Sequence, residues 1–249
     1  MPVAGKSSVP VIGLIVPPGA GEVPSDARLL YGDRVNFIAR GLGISAVSPT
    51  GFNPVIDTVL DRARELRDAG AQAISLMGTS ISFYRGAAFT EDLRASMQEA
   101  TGLPCTTMSH AIVRALRALG IRRVAVATSY IDELNDRLVD YLTHADFDVT
   151  AICGLSITGV KEVGEVTPAA LFALSGSVHA ADPSADGIFI SCGGLLTLEV
   201  LKPLEDKLGK PATSSSPAGF WDVVKLAGID PSSPGFGRLF EPVFNQIAV

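Results

Sequence analysis

Short apolar runs alternate along this chain with longer stretches whose apolar residues recur every three or four positions. Residues 9–16, 46–48, 73–77, 106–108, 124–128, 149–153, 187–191 and 212–214 read as strands, being short runs rich in apolar, β-branched or small residues. Helical patterns lie between them. Over residues 54–69, Val55, Ile56, Val59, Leu60, Ala63 and Leu66 share one face, while Asp57, Asp61, Arg64 and Asp68 take the other. Ile131, Leu134, Leu138, Tyr141 and Leu142 repeat that spacing, with Asp132 placed to favour the helix start. Such alternation predicts parallel sheets covered by helices, and 249 residues at 47% hydrophobic content suffice to bury the core this needs.

The chain also echoes itself. Pro104-Cys-Thr-Thr-Met-Ser-His-Ala111 is similar to Pro211-Ala-Thr-Ser-Ser-Ser-Pro-Ala218, and a helical pattern ending in Leu-Gly or Ala-Gly follows each. Earlier in each half, Ile74-Ser-Leu-Met-Gly-Thr-Ser80 aligns with Ile188-Phe-Ile-Ser-Cys-Gly-Gly194, which sets Gly78 opposite Cys192. The expected fold is therefore α/β with two pseudo-symmetric halves, each a parallel β-sheet flanked by helices. Residues 1–115 would form the N-terminal half, to which the end of the chain can return, and residues 116–249 the C-terminal half. Ligands gather at the carboxyl ends of parallel strands, so one active site is expected in the cleft between the halves.

Charge and motif content remove many functions. A net charge of −6 without a local Lys/Arg cluster argues against nucleic acid or a membrane surface as partner. The apolar runs are too short to span a bilayer, and the N-terminus lacks the pattern of a secretory leader, so a soluble cytoplasmic protein is expected. Cys105, Cys153 and Cys192 cannot all pair and show no C-x-x-C spacing, while His110, His144 and His179 are scattered; no metal is expected. Gly41-Leu-Gly-Ile-Ser-Ala46 has a dinucleotide-loop flavour, but it reads as following a helix and entering a strand, the reverse of the required order. No nucleophile elbow or phosphate loop occurs, and the informative turns hold no lysine for a Schiff base. No cofactor is expected.

Three strand ends carry the chemistry that remains. Ser191-Cys-Gly-Gly-Leu-Leu-Thr197 puts a thiol where a buried strand ends, beside two glycines whose N–H groups can approach and donate to an oxyanion. Cys105 and Cys153 read as inert core. Gly78-Thr79-Ser80 offers two hydroxyls suited to a carboxylate, and Thr128-Ser129-Tyr130 adds a phenol at a third strand end.

These segments resemble the aspartate/glutamate racemase superfamily and, within it, the arylmalonate decarboxylase family. The likeness runs through Gly13-Leu-Ile-Val-Pro-Pro18, Ser75-Leu-Met-Gly-Thr-Ser80, Ser82-Phe-Tyr-Arg-Gly-Ala-Ala-Phe89, Thr101-Gly-Leu-Pro-Cys-Thr-Thr-Met108, Ser191-Cys-Gly-Gly-Leu-Leu-Thr197 and Ser214-Ser-Ser-Pro-Ala-Gly-Phe-Trp221. Racemases of the superfamily use one cysteine on each side of the substrate carbon. Gly78 stands at the first of these positions, so the resemblance implies protonation from one face, by Cys192. It further implies a dioxyanion hole of Thr79, Ser80, Tyr130 and the turn Cys192–Gly193, with Gly194 in support, to hold the carboxylate that stays. An apolar pocket matching Pro17, Ile44, Val47, Ile81, Val160 and Val163 would receive the one that leaves, with Ile44 and Val163 replacing a leucine and a methionine of the family pattern.

The implied activity is cofactor-independent, enantioselective decarboxylation of aryl- or alkenyl-substituted malonates to 2-arylpropionate-type acids and CO₂, by a monomer. Amino-acid racemase or maleate-isomerase-like chemistry is the alternative within the superfamily, and Gly78 speaks against both. A non-catalytic carboxylate binder is the alternative outside it, distinguished by ligand affinity without turnover.

Overall fold

The computed structural model describes residues 9–245. In chain order its principal elements are β1 (Val11–Val16), α1 (Asp26–Tyr31), β2 (Asn36–Gly41), α2 (Pro49–Phe52), α3 (Val59–Asp68), β3 (Ala73–Leu76), α4 (Thr79–Phe83), α5 (Ala87–Thr101), β4 (Cys105–Thr107) and α6 (Met108–Ala118) in the first part. The second part comprises β5 (Arg123–Thr128), α7 (Asp132–His144), β6 (Asp148–Gly154), α8 (Val160–Gly164), α9 (Pro168–Ala181), β7 (Gly187–Ser191), α10 (Leu198–Leu208), β8 (Ala212–Ser214) and α11 (Ser215–Leu226).

Two four-stranded sheets result, in the orders β2-β1-β3-β4 and β6-β5-β7-β8, with every pairing parallel. The second order repeats the first with each strand number raised by four. Register extends the match, since Ile74 lies beside Cys105 as Ile188 lies beside Ala212. Counting on from Ile74 and Ile188 brings Gly78 and Cys192 to equivalent places. The inner strands β3 and β7 are buried at every residue, as strands covered by helices on both faces must be. The fold is thus the expected pair of related α/β halves.

Helices α6 and α11 pack on one another and join the sheets. Arg114 donates from Nε (2.6 Å) and Nη2 (2.7 Å) to the two oxygens of the buried Asp222 carboxylate, which also accepts from Thr106 (2.7 Å). Such a fork satisfies a carboxylate that burial would otherwise disfavour. After α11 the chain returns to the first half: Ser233 donates to the carbonyl of Leu30 (2.7 Å) and Arg34 to that of Ser232 (2.7 Å). A division at residues 115 and 116 falls within α6, and the link between the sheets is the turn at residues 119–122.

Three readings of the sequence need correction. The second strand is Asn36–Gly41, not residues 46–48, which form a bend. Val47 there donates instead to the carbonyl of Thr158 (2.9 Å) in the other half. As a half-exposed edge strand with a polar start and an arginine, β2 lacks the continuous apolar signal of its neighbours. Gly41 therefore ends a strand rather than following a helix. It does not open a dinucleotide loop: a Cβ there would lie 2.3 Å from the Pro18 carbonyl oxygen, so this glycine admits close approach of chain to chain, and the next helix, α2, has four residues. Lastly, Cys153 is exposed on edge strand β6, whereas Cys105 is buried as expected.

Candidate active site

The carboxyl ends of β1, β3 and β7 open on one cavity of about 440 Å³. From the first half its wall takes Pro17 after β1, Ile44 and Val47 after β2, and Gly78, Thr79, Ser80 and Ile81 at the start of α4. The second half contributes Val160 and Val163 of α8 and the turn Cys192, Gly193 and Gly194 after β7. All of these were anticipated, and the structure brings them together. Tyr130 is placed differently: it is fully buried behind the wall rather than in it, and accepts a hydrogen bond from Ser191 (3.3 Å).

The thiol sits in a strained turn. Cys192 has φ +138°, a region that L side chains rarely adopt and that marks stored strain when neighbours hold it in place. Its amide donates to Ser215 Oγ (3.1 Å), and its carbonyl accepts from the amide of Leu195 (3.3 Å). With its own N–H engaged, the turn's remaining donors are those of Gly193 and Gly194. Burial pushes the Cys192 thiol above the ordinary range, against the opposing influence of Ser129, the Gly194 amide, Tyr130 and the Leu195 amide, in that order. The group is therefore kept as S–H while donors that would receive a thiolate stand around it.

The opposite wall has no counterpart. Gly78 is relaxed at φ −127°, and a Cβ added there would meet the Ile81 Cγ2 methyl at 2.5 Å. Ile81 thus fills the space a second side chain would need. Thr79 donates to Met108 Sδ (2.7 Å), a weak acceptor that a carboxylate oxygen can displace. Tyr130 is held strongly neutral, first by burial and then by the neighbouring Cys192, while Ser191, Thr79 and Ser80 act the other way. Its phenol thus lies where hydroxyls of both halves meet.

Several lining residues escaped the sequence reading. Met77, Met108 and the exposed Leu196 add apolar surface; Ser216 of α11 and Asp26 of α1 add polar groups. The Ser214-Ser-Ser-Pro segment was singled out as a repeat, yet its position in the echo held no hint that Ser215 would brace Cys192. Asp26 left only the mark of a helix start. Among the described residues the wall contains no Lys, Arg or His, and its two carboxyl groups are Glu22, exposed, and Asp26, 5% exposed. Among the described residues, no three of His, Cys, Asp and Glu converge to hold a metal ion, and no helix is long and apolar enough to cross a membrane.

Known proteins share this architecture. The sequence pattern of the arylmalonate decarboxylase family matches residues 12–240. Arylmalonate decarboxylase of Bordetella bronchiseptica is 53% identical over 237 residues, covering 95% of this chain and 98% of its own. A liganded crystal structure of a double mutant of arylmalonate decarboxylase superposes with a TM-score of 0.92 at 52% identity, over 94% of this chain and 99% of that one. The maleate isomerase of Pseudomonas putida S16, at 23% identity, a TM-score of 0.86 and coverage of 94% and 99%, shares the fold. Two parallel sheets related by an internal repeat, one thiol at their cleft and a match across nearly the whole length make this chain a member of the arylmalonate decarboxylase family, and so a decarboxylase of the carbon–carbon lyase class.

Proposed function

We propose that the cavity decarboxylates disubstituted malonates bearing an aryl or alkenyl group, without a cofactor, and that Cys192 protonates the resulting enediolate on one face. The observation that carries this reading is the asymmetry of two equivalent strand ends: a thiol at Cys192, and at Gly78 only space that Ile81 fills. A two-thiol racemization has no second partner there.

The substrate enters as a dianion. One carboxylate meets Thr79, Ser80 and the Gly193 turn, with Gly194 in support; the other lies against Pro17, Ile44, Val47, Ile81, Val160 and Val163, where loss of solvent disfavours its charge. As its C–C bond breaks, CO₂ departs and the electron pair moves into the remaining carboxylate, which becomes an enediolate. Hydroxyls and amides already in place stabilise that charge without reorganising, with Tyr130 supporting Thr79 and Ser80 from behind. The aryl or alkenyl group spreads the developing negative charge. Cys192 then gives its proton to carbon, and Ser129 with the amides of Gly194 and Leu195 receives the thiolate until solvent reprotonates it. Substrate dianion plus one proton thus yields monoacid anion plus CO₂. A family-like binding pose delivers the R acid from a methyl-aryl malonate.

The test is incubation of 2-methyl-2-phenylmalonate in D₂O with chelator-treated enzyme, followed by NMR and chiral chromatography. One enantiomer of 2-phenylpropionate, deuterated at C2, is expected from the wild type. Racemic acid, or equal turnover by Cys192→Ala, would exclude Cys192 as the donor. Binding of the malonate without turnover would leave only a carboxylate-binding role.

A further inference from the structure

A site that takes a dianion would ordinarily hold a cation. Among the described residues this wall holds none, and one of its two carboxyl groups is buried. Asp26 lies in the first turn of α1, beside the first turn of α11, and Ser216 there is the one hydrogen-bonding side chain that acts on it. We infer that Asp26 selects the substrate's charge: it enters the complex as a neutral carboxylic acid and donates a hydrogen bond to the bound dianion, so that the site takes up a proton from solvent as the dianion binds. This rests on the malonate reading of the same site and extends it to how a wall without cations tolerates two negative charges.

The surroundings agree. Arg28 and Arg34 are the cations nearest in sequence, but neither acts on Asp26, and Arg34 is engaged with the carbonyls of Leu30 and Ser232. On α11, the first turn carries no charged side chain and only Ser215 and Ser216 as polar ones, and Asp222, farther along, is held by Arg114. Glu22 lies on the exposed rim; Cys192 and Tyr130, in the other half, are both kept neutral. Burial is the larger influence on Asp26 and raises its titration above the usual carboxylate range; Ser216 opposes it. A dianion arriving in the same cavity pushes in the direction of burial. Asp26 and Ser216 both line the cavity, and a neutral carboxyl group there has a proton to donate to the ligand.

The sign follows from linkage. Binding that requires a protonated Asp26 weakens as pH rises, because each dianion must then bring a proton with it. In the wild type, KM is expected to rise about tenfold per pH unit above the free-state titration of Asp26 while kcat holds, since the thiol stays protonated there. Asp26→Asn keeps a neutral donor at all pH, so its KM should stay near the low-pH wild-type value. Glu22→Gln should retain the wild-type slope. A flat wild-type KM, or an unchanged slope in Asp26→Asn, would overturn the inference.

Proton uptake separates this inference from the reaction itself. Calorimetric titration with 2,2-dimethylmalonate, which lacks the aryl or alkenyl group and should bind without turnover, is run in two buffers of different ionization enthalpy from about pH 5 to about pH 9. Uptake approaching one proton per ligand somewhere in that range, lost in Asp26→Asn, supports Asp26 even if no malonate is decarboxylated. Absence of uptake at every pH, or equal uptake in the variant, overturns it even if decarboxylation proceeds.

Discussion

The ends of β3 and β7 occupy the same place in two copies of one topology, yet they are built for opposite tasks. After β3 the backbone is relaxed, Gly78 carries no side chain, and α4 begins at once with Thr79 and Ser80. After β7 the chain is held at positive φ on Cys192 by Ser215 and Leu195, and α10 does not start until Leu198. On the proposed reading, one turn cradles a carboxylate and the other presents a proton donor under strain. The repeat thus supplies two equivalent strand ends, and on that reading the difference of one side chain between them sets the face from which a substrate carbon is reached.

Removing the thiol breaks the comparison most severely. Cys192→Ala should lose about 10³-fold or more in kcat, within the range that a positioned proton donor contributes, with a far smaller change in KM; product formation under saturating malonate reads this directly. Deleting the phenol behind the cradle should cost less. Tyr130→Phe leaves the buried ring in place and removes one hydroxyl from the Thr79–Ser80–Ser191 junction, so a loss of about 10²-fold in kcat/KM is expected. An unchanged value would confine Tyr130 to packing.

The strain itself gives the smallest effect and the sharpest contrast. Cys192→Gly and Cys192→Ala both abolish the donor, but only glycine tolerates φ +138° without penalty. The glycine variant should be more stable by about 1 kcal/mol, read from the urea midpoint at constant slope. Equal stability would mean that the turn relaxes and holds no strain.

Much of this contrast was legible before any coordinates. Seven of the eight strands lie where apolar runs placed them, and the internal echo alone set Gly78 against Cys192, because buried parallel strands and glycine-rich turns leave strong local signals. Edge strand β2, half solvated, left a weak one. Wall positions away from the strand ends were harder: Ile44 and Val47 in a loop and Val160 and Val163 in the short α8 came from family likeness, since where these segments lie depends on contacts such as Ile44 to Pro17 and Val47 to Thr158. Asp26 could not be found from spacing at all. An aspartate at a helix start is ordinarily solvated, and this one is buried where α1 packs against α11.

The most direct test of one-faced protonation moves the thiol. Gly78→Cys combined with Cys192→Ser places a single thiol on the opposite wall, provided Ile81 yields the space its methyl now takes. Decarboxylation of 2-methyl-2-phenylmalonate by this variant should give the enantiomer opposite to the wild type's. Product of the same hand from both proteins would contradict the assignment of stereochemistry to the position of the thiol.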